Sequence, residues 1–340
     1  MRSGPVENRE QSREWEVHNS RGNGNSSLAG RFAGRGVITR HHTQEWVRSF
    51  GLGDESSLVR LFAADCGSFA ASIFPRADDV FLDLASDYLA WLILFDDAVG
   101  ECWDRPAVVK LMTALSSYSN QRDDSPFLKA VHDIERRAAR LSLDEESWTR
   151  RFRGSVYDYM RGCLAESVYR TEKVIPPYAS YTSFRKSTIG ALPLFDMVEL
   201  FALPPEAMIT CGDWKHVRVR AAFLCALAND LHSYEREKGM DDAFNMITVI
   251  AHGSCLPIDK VIAEVARMYA VQRQDLALIL DRWSGLSTTR ARFSYAQGIS
   301  DCVDGNLAWY RLSSRYRQQE SPSSGPPAAI IENRDQLIRR

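Results

Sequence analysis

Long apolar runs are missing from this sequence. No stretch reaches the roughly 18 consecutive apolar residues that would mark a membrane-spanning helix. The longest apolar run, LAWLILF at residues 89–95, suits a buried helix instead. The first 30 residues are polar and charged, without the apolar centre of a secretion signal. We therefore predict a cytoplasmic protein that has no membrane partner.

Paired cysteines and an excess of one charge are also missing. The seven cysteines include no Cys-x-x-Cys pair, and the seven histidines show no spacing typical of metal ligands. Reduced, buried thiols fit this pattern better than disulfides or a zinc site. A formal net charge of −2 gives no reason to expect a nucleic acid as a partner. The sequence leaves open whether the chain forms a homodimer.

Alternating patterns that would indicate β-strands are absent as well, and helical periodicity covers most of the chain. No internal repeat or change in composition divides it. We therefore predict an all-α, single-domain helical bundle around a central apolar cavity over residues 36–318. Residues 1–35 are predicted to be a disordered N-terminal tail and residues 319–340 a C-terminal tail. Helices are predicted over residues 56–73, 78–99, 105–119, 126–140, 144–173, 178–188, 193–201, 213–238, 241–253, 257–283 and 288–316.

Residues 229–237, NDLHSYERE, carry three oxygen ligands at helical spacing. Asn229, Ser233 and Glu237 are four residues apart, so they drift by only about 40° per step and form one stripe on a helix. An amide oxygen, a hydroxyl and a carboxylate are hard ligands that suit Mg²⁺ rather than zinc or copper. One stripe carries too little charge to hold Mg²⁺ tightly alone. The pattern therefore favours a metal that is shared with a phosphorylated substrate.

A second acidic cluster ends the apolar run in YLAWLILFDDAVGE, residues 88–101. Taken alone, Asp96 and Asp97 are more simply explained as a solvated helix end. Two helices that each bring Mg²⁺ ligands to the rim of an apolar cavity would instead form a clamp for a diphosphate. Helical geometry puts Glu101 about 140° from Asp96. We therefore expect Asp96 to be a metal ligand and Asp97 or Glu101 to bind an arginine.

A break in the helical pattern is predicted at Ser187-Thr188-Ile189-Gly190, shortly before Pro193. Gly190 permits backbone conformations that other residues resist. A broken helix exposes unsatisfied carbonyl and amide groups at its two ends. From the residues alone, an ordinary helix end before Pro193 is an equal alternative.

In these motifs the chain resembles the class I terpene synthases of microbial type, over about residues 45–318. The family's Asn-Asp-x-x-Ser-x-x-x-Glu motif is matched at residues 229–237 without a departure, and Arg315-Tyr316 match its C-terminal arginine–tyrosine pair. Arg185 matches the family's diphosphate sensor. Glu166, Pro176 and Tyr181 also stand at the family's spacing.

The upstream motif departs from the usual pattern of this family. The common form is Asp-Asp-x-x-Asp, whose third acid would fall at Gly100, and Glu101 arrives one place later. Members with Asp-Asp-x-x-x-Glu exist, so the departure puts the ligand role of Glu101 in doubt rather than the activity.

The resemblance implies the class I terpenoid synthase fold and a lyase that ionises an allylic isoprenyl diphosphate, cyclises the carbocation and releases diphosphate. Three Mg²⁺ ions would bind together with the diphosphate. The implied metal ligands are Asp96, Asn229, Ser233 and Glu237, with Asp97, Glu101 and Glu166 as further candidates. The implied diphosphate contacts are Arg185, Arg315 and Tyr316, which are expected to rest idle until diphosphate and Mg²⁺ arrive. Thr188, Ile189 and Gly190 would form the sensing break after Arg185.

The cavity of such an enzyme should be apolar and aromatic, because water would quench the cation and aromatic faces stabilise it. The candidates for its lining are Phe69, Tyr88, Leu92, Phe95 and Trp309. Farnesyl diphosphate is the expected substrate, with cyclisation of geranylgeranyl diphosphate as the alternative. A chain-elongating isoprenyl diphosphate transferase and a catalytically silent helical binding protein are the other hypotheses. Elongation enzymes carry two aspartate-rich motifs, whereas the second motif here is Asn/Ser/Glu.

Overall fold

A computed structural model of the protein describes residues 25–101, 105–116, 125–202, 212–239, 244–285 and 290–313. All regular elements in these ranges are helices. They are α1 (Asn25–Phe50), α2 (Glu55–Ala64), α3 (Cys66–Ile73), α4 (Asp79–Glu101), α5 (Arg105–Ser116), α6 (Pro126–Ala139), α7 (Glu145–Glu172), α8 (Tyr178–Thr188), α9 (Ala191–Ala202), α10 (Gly212–Gly239), α11 (Met246–Gly253), α12 (Ile258–Gly285) and α13 (Arg290–Leu312). The predicted all-α fold is confirmed.

The first helix was not predicted from the sequence. Helix α1 begins at Asn25, within the segment that we expected to be a disordered tail. The Arg35 guanidinium bonds the Asp79 carboxylate at 2.8 Å and the Ala77 carbonyl at 2.5 Å, both at the start of α4. These contacts join residues 42 and 44 positions apart. Such contacts leave no periodic pattern in the sequence, so the helix could not be predicted from it. Residues 1–24 and 314–340, which include most of the predicted tails, lie outside the described residues.

The single helix predicted over residues 56–73 is two helices. Asp65 breaks it with a left-handed backbone, at φ 57°. Its carboxylate accepts a hydrogen bond from the backbone amide of Ser68 and so caps α3, and it also pairs with Arg40 of α1. The capping bond and the ion pair offset the strain of this conformation, which a propensity argument cannot anticipate.

The helices pack so that an interior space remains between two groups. Helix α4 packs on α1, α3, α6 and α7, while α10 packs on α8, α9, α12 and α13. Helices α3 and α13 pack against each other, and α7 packs on α9, which joins the two groups. The C-terminal halves of α4 and α10, which carry the two predicted motifs, therefore lie on different sides of the bundle interior.

Five cysteines lie in the part of the chain that is described, and one of them, Cys255, is exposed rather than buried as predicted. Cys66, Cys163, Cys225 and Cys302 are buried free thiols. None of the described helices combines the length and the hydrophobicity that crossing a membrane requires.

The contact between α13 and α3 gives a test of this packing. A Cβ atom on Gly305 would lie 2.1 Å from the backbone oxygen of Ser72. Since backbone cannot move aside cheaply, we expect Gly305→Ala to lower the free energy of unfolding by about 1–3 kcal/mol. Chemical denaturation followed by circular dichroism measures this change.

The matched control is Gly154→Ala in α7, where the added methyl group meets no atom within 4 Å. It should raise the free energy of unfolding by about 0.5–1 kcal/mol through helix propensity alone. Equal effects at the two glycines would contradict the close contact of α13 with α3.

Candidate active site

A cavity of about 1000 Å³, including the part that opens to solvent, lies between the two helix groups. Its walls are apolar at one end and polar at the other. The apolar end is lined by Phe69, Leu89, Leu92, Leu194, Phe195 and Trp309. The polar end is lined by Asp96, Glu166, Arg170, Arg236, Glu237 and Tyr310. The cavity therefore brings the two predicted motifs together, although they are far apart in the chain.

The two adjacent aspartates of α4 have different surroundings. Asp96 lines the cavity, and no hydrogen bond or ion pair joins it to another described residue. Asp97 points elsewhere and lies 3.5 Å from Arg60 of α2. The expectation that Asp97 or Glu101 binds an arginine is thus met by Asp97. The side chain of Glu101 lies outside what the structure describes.

Two of the five predicted lining residues do not line the cavity. Phe69, Leu92 and Trp309 do, and the rings of Phe69 and Trp309 stack with centroids 4.0 Å apart. The predictions for Tyr88 and Phe95 were wrong, because neither borders the cavity and both pack against Trp91 in the core. Both lie about 80–100° around α4 from Asp96, so they face the neighbouring helices instead of the cavity.

The three predicted ligands on α10 are held by other side chains of the protein. The Asn229 amide donates to the Tyr310 hydroxyl at 3.1 Å, and its oxygen accepts from Arg185 at 2.6 Å. Asn245 donates to Glu237 at 2.8 Å and lies 3.5 Å from the Ser233 hydroxyl. Ser233 is completely buried. Sequence analysis missed Asn245, which lies outside the motif and shows only as a polar residue before an apolar helix.

The donor set fits Mg²⁺ better than zinc. Burial raises the pKa of Glu237, and the hydrogen bond from Asn245 and the nearby Arg236 offset this only in part. Asp96 faces the cavity without a protein partner among the described residues. No cluster of three His, Cys, Asp or Glu side chains that could hold a metal occurs in the described ranges. Oxygen ligands from Asp96, Asn229 and Glu237, completed by a ligand from outside, would suit a hard cation.

Arg185 is fully engaged, against the expectation that it rests idle without diphosphate. Its guanidinium bonds one oxygen of Asp230 at 2.8 and 3.1 Å, in addition to Asn229. The other oxygen of Asp230 accepts from the Tyr181 hydroxyl at 2.5 Å and from the Met246 backbone amide at 3.2 Å. Burial alone would lower the pKa of Arg185, but the Asp230 carboxylate raises it, so the guanidinium stays charged.

The predicted helix break is present directly after Arg185. Helix α8 ends at Thr188, and α9 begins at Ala191, before Pro193. Gly190 has φ +67°, and a Cβ atom there would lie 2.2 Å from the Leu92 side chain. Thr188 and Ile189 line the cavity. The alternative of an ordinary helix end is excluded, because the helix resumes at once.

Tyr88 gives the break a contact that the sequence did not reveal. Its hydroxyl donates to the Gly190 carbonyl at 3.0 Å. This bond ties the residue before α9 to α4, the helix that carries Asp96.

A buried ionic network lies behind the break. Arg218 of α10 donates to the Leu192 carbonyl at 3.0 Å and pairs with Asp196, while Arg151 of α7 bonds Glu199 at 2.9 Å. Burial, together with the neighbouring Asp196, raises the pKa of Glu199 to about 7. These pairs tie the start of α9 to α7 and α10, and hold the break in place.

The remaining predicted site residues have mixed outcomes. Glu166 is buried and pairs with Arg170 at 2.6 Å, next to a smaller cavity that Asp96 also lines. Arg315 and Tyr316 lie outside the described residues. Their place in the site stays a prediction.

Comparison with known proteins agrees with this geometry. Residues 87–275 match the family model described as terpene synthase family 2, C-terminal metal binding. The chain is 28% identical to isoafricanol synthase of Streptomyces violaceusniger, over 88% of this chain and 86% of that one. It is 26% identical to 4-epi-cubebol synthase ((2E,6E)-farnesyl diphosphate cyclizing) of Streptosporangium roseum, over 81% and 85%.

The fold has matches among solved structures. The chain superposes on 2-methylisoborneol synthase from Streptomyces coelicolor, solved with Mg²⁺ and 2-fluoroneryl diphosphate, with a TM-score of 0.75 at 17% identity. The match covers 84% of this chain and 94% of that one. Fold and site define a class I terpene synthase. The chain belongs to terpene synthase family 2, whose model covers more than half of it.

The different surroundings of Asp96 and Asp97 can be tested without any knowledge of the substrate. We expect Asp96→Asn to weaken Mg²⁺-dependent binding of inorganic diphosphate at least about tenfold, because even supporting groups around a metal cost 10–100-fold. Isothermal titration calorimetry with and without Mg²⁺ measures this binding.

Asp97→Asn is the matched control, since it makes the same chemical change one residue further along. It weakens the ion pair with Arg60, whose side chain is 42% exposed, at a cost of about 1 kcal/mol of stability, and diphosphate binding should stay near the wild-type value. Equal losses in the two variants would refute Asp96 as the metal ligand on α4.

Proposed function

We propose that the protein is a Mg²⁺-dependent terpene cyclase that acts on farnesyl diphosphate. The observation that carries the proposal is the arrangement of Asp96 opposite Asn229 and Glu237 at the polar end of an otherwise apolar cavity. Such a cavity can hold a hydrocarbon chain in its apolar end and a diphosphate at the ligands.

Three Mg²⁺ ions bound with the diphosphate would neutralise the charge that develops on the leaving group. Asp96 would hold ions on one side of the cavity, and Asn229, Ser233 and Glu237 would hold one on the other. To serve as a ligand, Asn229 must exchange its bond from Arg185 for the metal. Arg185 and Arg236, which both line the cavity, can then bind phosphate oxygens. Arg315 and Tyr316 are proposed to join them.

The apolar end of the cavity would protect the carbocation. Its walls exclude bulk water, and the stacked rings of Phe69 and Trp309 can face the passing positive charge. Burial raises the pKa of Cys225 to about 12 and that of Cys302 well above its ordinary value. Both thiols therefore stay neutral and are poor nucleophiles toward the cation.

Two further points support the choice of substrate and reaction. The printed name of the Streptosporangium roseum relative specifies cyclisation of (2E,6E)-farnesyl diphosphate. A chain-elongating transferase is disfavoured, because the second motif is Asn/Ser/Glu rather than a second aspartate-rich motif. Geranylgeranyl diphosphate remains the alternative substrate, which an assay must distinguish from farnesyl diphosphate.

Four buried free thiols also support a cytoplasmic location.

The direct test offers the pure protein Mg²⁺ with geranyl, farnesyl or geranylgeranyl diphosphate. We expect terpene products in the organic layer chiefly from farnesyl diphosphate, identified by gas chromatography and mass spectrometry. A longer diphosphate formed when isopentenyl diphosphate is supplied as well would indicate elongation, and preference for geranylgeranyl diphosphate would indicate a diterpene cyclase. Absence of turnover with all three substrates would refute the proposed function.

Asn229→Leu links this activity to the metal site. The variant removes an oxygen ligand and should abolish turnover while circular dichroism shows an intact helical fold. If it forms products at near the wild-type rate with Mg²⁺ present, the assignment of Asn229 as a ligand is wrong.

Arg185→Lys tests the role of the guanidinium in ionisation. A lysine cannot bond a carboxylate or phosphate through two nitrogens, and each charged contact is worth roughly 1.5–3 kcal/mol. Because ionisation builds charge on the leaving group, we expect kcat to fall about tenfold or more. Arg161→Lys, on an exposed face of α7, is the control and should leave both kinetic constants unchanged. A rise in KM alone would mean that Arg185 only anchors the substrate.

A further inference from the structure

One polar side chain in the cavity wall has no role in the site described so far. Asn306 of α13 lines the cavity and is 7% exposed. Its Oδ1 atom is buried without a hydrogen-bond partner among the described residues. Buried amides are nearly always paired, so an exception of this kind calls for a partner that binds during function.

The position of Asn306 along α13 is fixed by the helix contact beneath it. Gly305 lets α13 approach the backbone of Ser72. Tyr310, one turn further along α13, bonds the ligand residue Asn229. Asn306 therefore lies about 6 Å deeper along the helix axis than the ligand level. The carbon chain of a bound isoprenyl diphosphate, and not its diphosphate, would occupy this depth.

No residue in the described ranges supplies a hydrogen-bond partner for the Asn306 oxygen. The neighbouring cavity residues on α13 are Cys302, Trp309 and Tyr310. Cys302 points its thiol toward the Ile73 carbonyl at 3.6 Å, and the Tyr310 hydroxyl accepts from Asn229. An isoprenyl chain offers neither a donor nor an acceptor. The amide can present its oxygen or its NH₂ group after rotation about χ2. Water is the small molecule that satisfies either group.

We propose that Asn306 positions a water molecule in the closed cavity, and that this water captures the final carbocation to give a sesquiterpene alcohol. The proposal deepens the proposed function and rests on it. A water oxygen donates its electron pair to the cationic carbon, which forms the new C–O bond. The resulting oxonium group releases one proton to the diphosphate set free in the first step. The sum is farnesyl diphosphate and water giving an alcohol and hydrogen diphosphate.

Asn306 acts in this scheme as a positioning residue, since a neutral amide cannot take up the proton. It would hold the water through a hydrogen bond and aim the free electron pair of the water at the carbon chain. Deprotonation of the cation to a hydrocarbon is the competing outcome, and it needs no bound water.

The experiment incubates the enzyme with farnesyl diphosphate and Mg²⁺ in buffer made with ¹⁸O-labelled water. Products are analysed by mass spectrometry, and released diphosphate is measured in parallel. We expect the wild-type enzyme to give an alcohol that carries one labelled oxygen. Asn306→Leu has a similarly branched side chain without polar atoms, and should lower the ratio of alcohol to hydrocarbon about tenfold, the effect of one lost hydrogen bond of average to high strength.

Gln297→Leu is the matched control, because it makes the same amide-to-leucine change on α13 at a residue that bonds Asp301 and does not line the cavity. It should keep the wild-type product ratio. If Asn306→Leu proves unable to fold or turn over, Asn306→Val supplies the ratio with a smaller apolar side chain.

Each contrary result has a distinct meaning. Diphosphate release with unlabelled hydrocarbon as the only product of the wild-type enzyme would overturn the water proposal and leave the cyclase intact. A labelled alcohol whose proportion is unchanged in Asn306→Leu or Asn306→Val would overturn the role of Asn306. Failure of the wild-type enzyme to release diphosphate from farnesyl diphosphate would overturn the proposed function, and this inference with it.

Discussion

The buried ion pair of Arg185 and Asp230 is the interaction on which the site depends. Both side chains lie almost completely inside the protein, where an unpaired charge would be strongly destabilising. The remaining bonds of the Asp230 carboxylate come from Tyr181 and from the backbone amide of Met246, the first residue of α11, so one carboxylate joins three segments around the polar end of the cavity. Arg185 in turn bonds Asn229. The proposed sensor, the proposed metal ligands and the start of the next helix are thereby held in one connected unit.

This unit also explains how the protein accommodates the buried polar atoms of its proposed metal ligands before a metal binds. Asn229 and Glu237 make hydrogen bonds to Arg185 and Asn245. These bonds compensate part of the burial of the ligand atoms. In the proposed function, metal and diphosphate would replace some of these bonds on binding, so the response of the site would be an exchange of partners. We had expected an idle arginine; an arginine with a partner that can be exchanged is better suited to couple binding with a shift at the adjacent helix break.

Much of the fold and site could be predicted from local patterns. Oxygen ligands at helical spacing indicated the stripe on α10, and Gly190 indicated the break, because both signals lie within a few neighbouring residues. The features that were missed depend on contacts between distant segments. The left-handed Asp65, helix α1 and the bond from Tyr88 to Gly190 are of this kind. Tyr88 and Phe95 were placed in the cavity because they share α4 with Asp96, but a helix has several buried faces in a bundle, and sequence alone does not say which one borders the empty space.

The contact between Leu92 and Gly190 has a consequence for how this family can change its substrate range. The Leu92 side chain occupies the space that a side chain at position 190 would need. The cavity wall and the proposed sensing break are therefore in direct contact. Replacing Leu92 by a smaller residue would enlarge the cavity. It would also loosen the packing of the break, and so would alter ionisation of the substrate as well as cavity size. Leu194 and Phe195, beyond the break on α9, line the cavity without such a contact. Changes in their size could therefore alter the preferred chain length of the substrate without affecting the break. Evolution toward longer or shorter substrates should therefore proceed more readily along α9 than along α4.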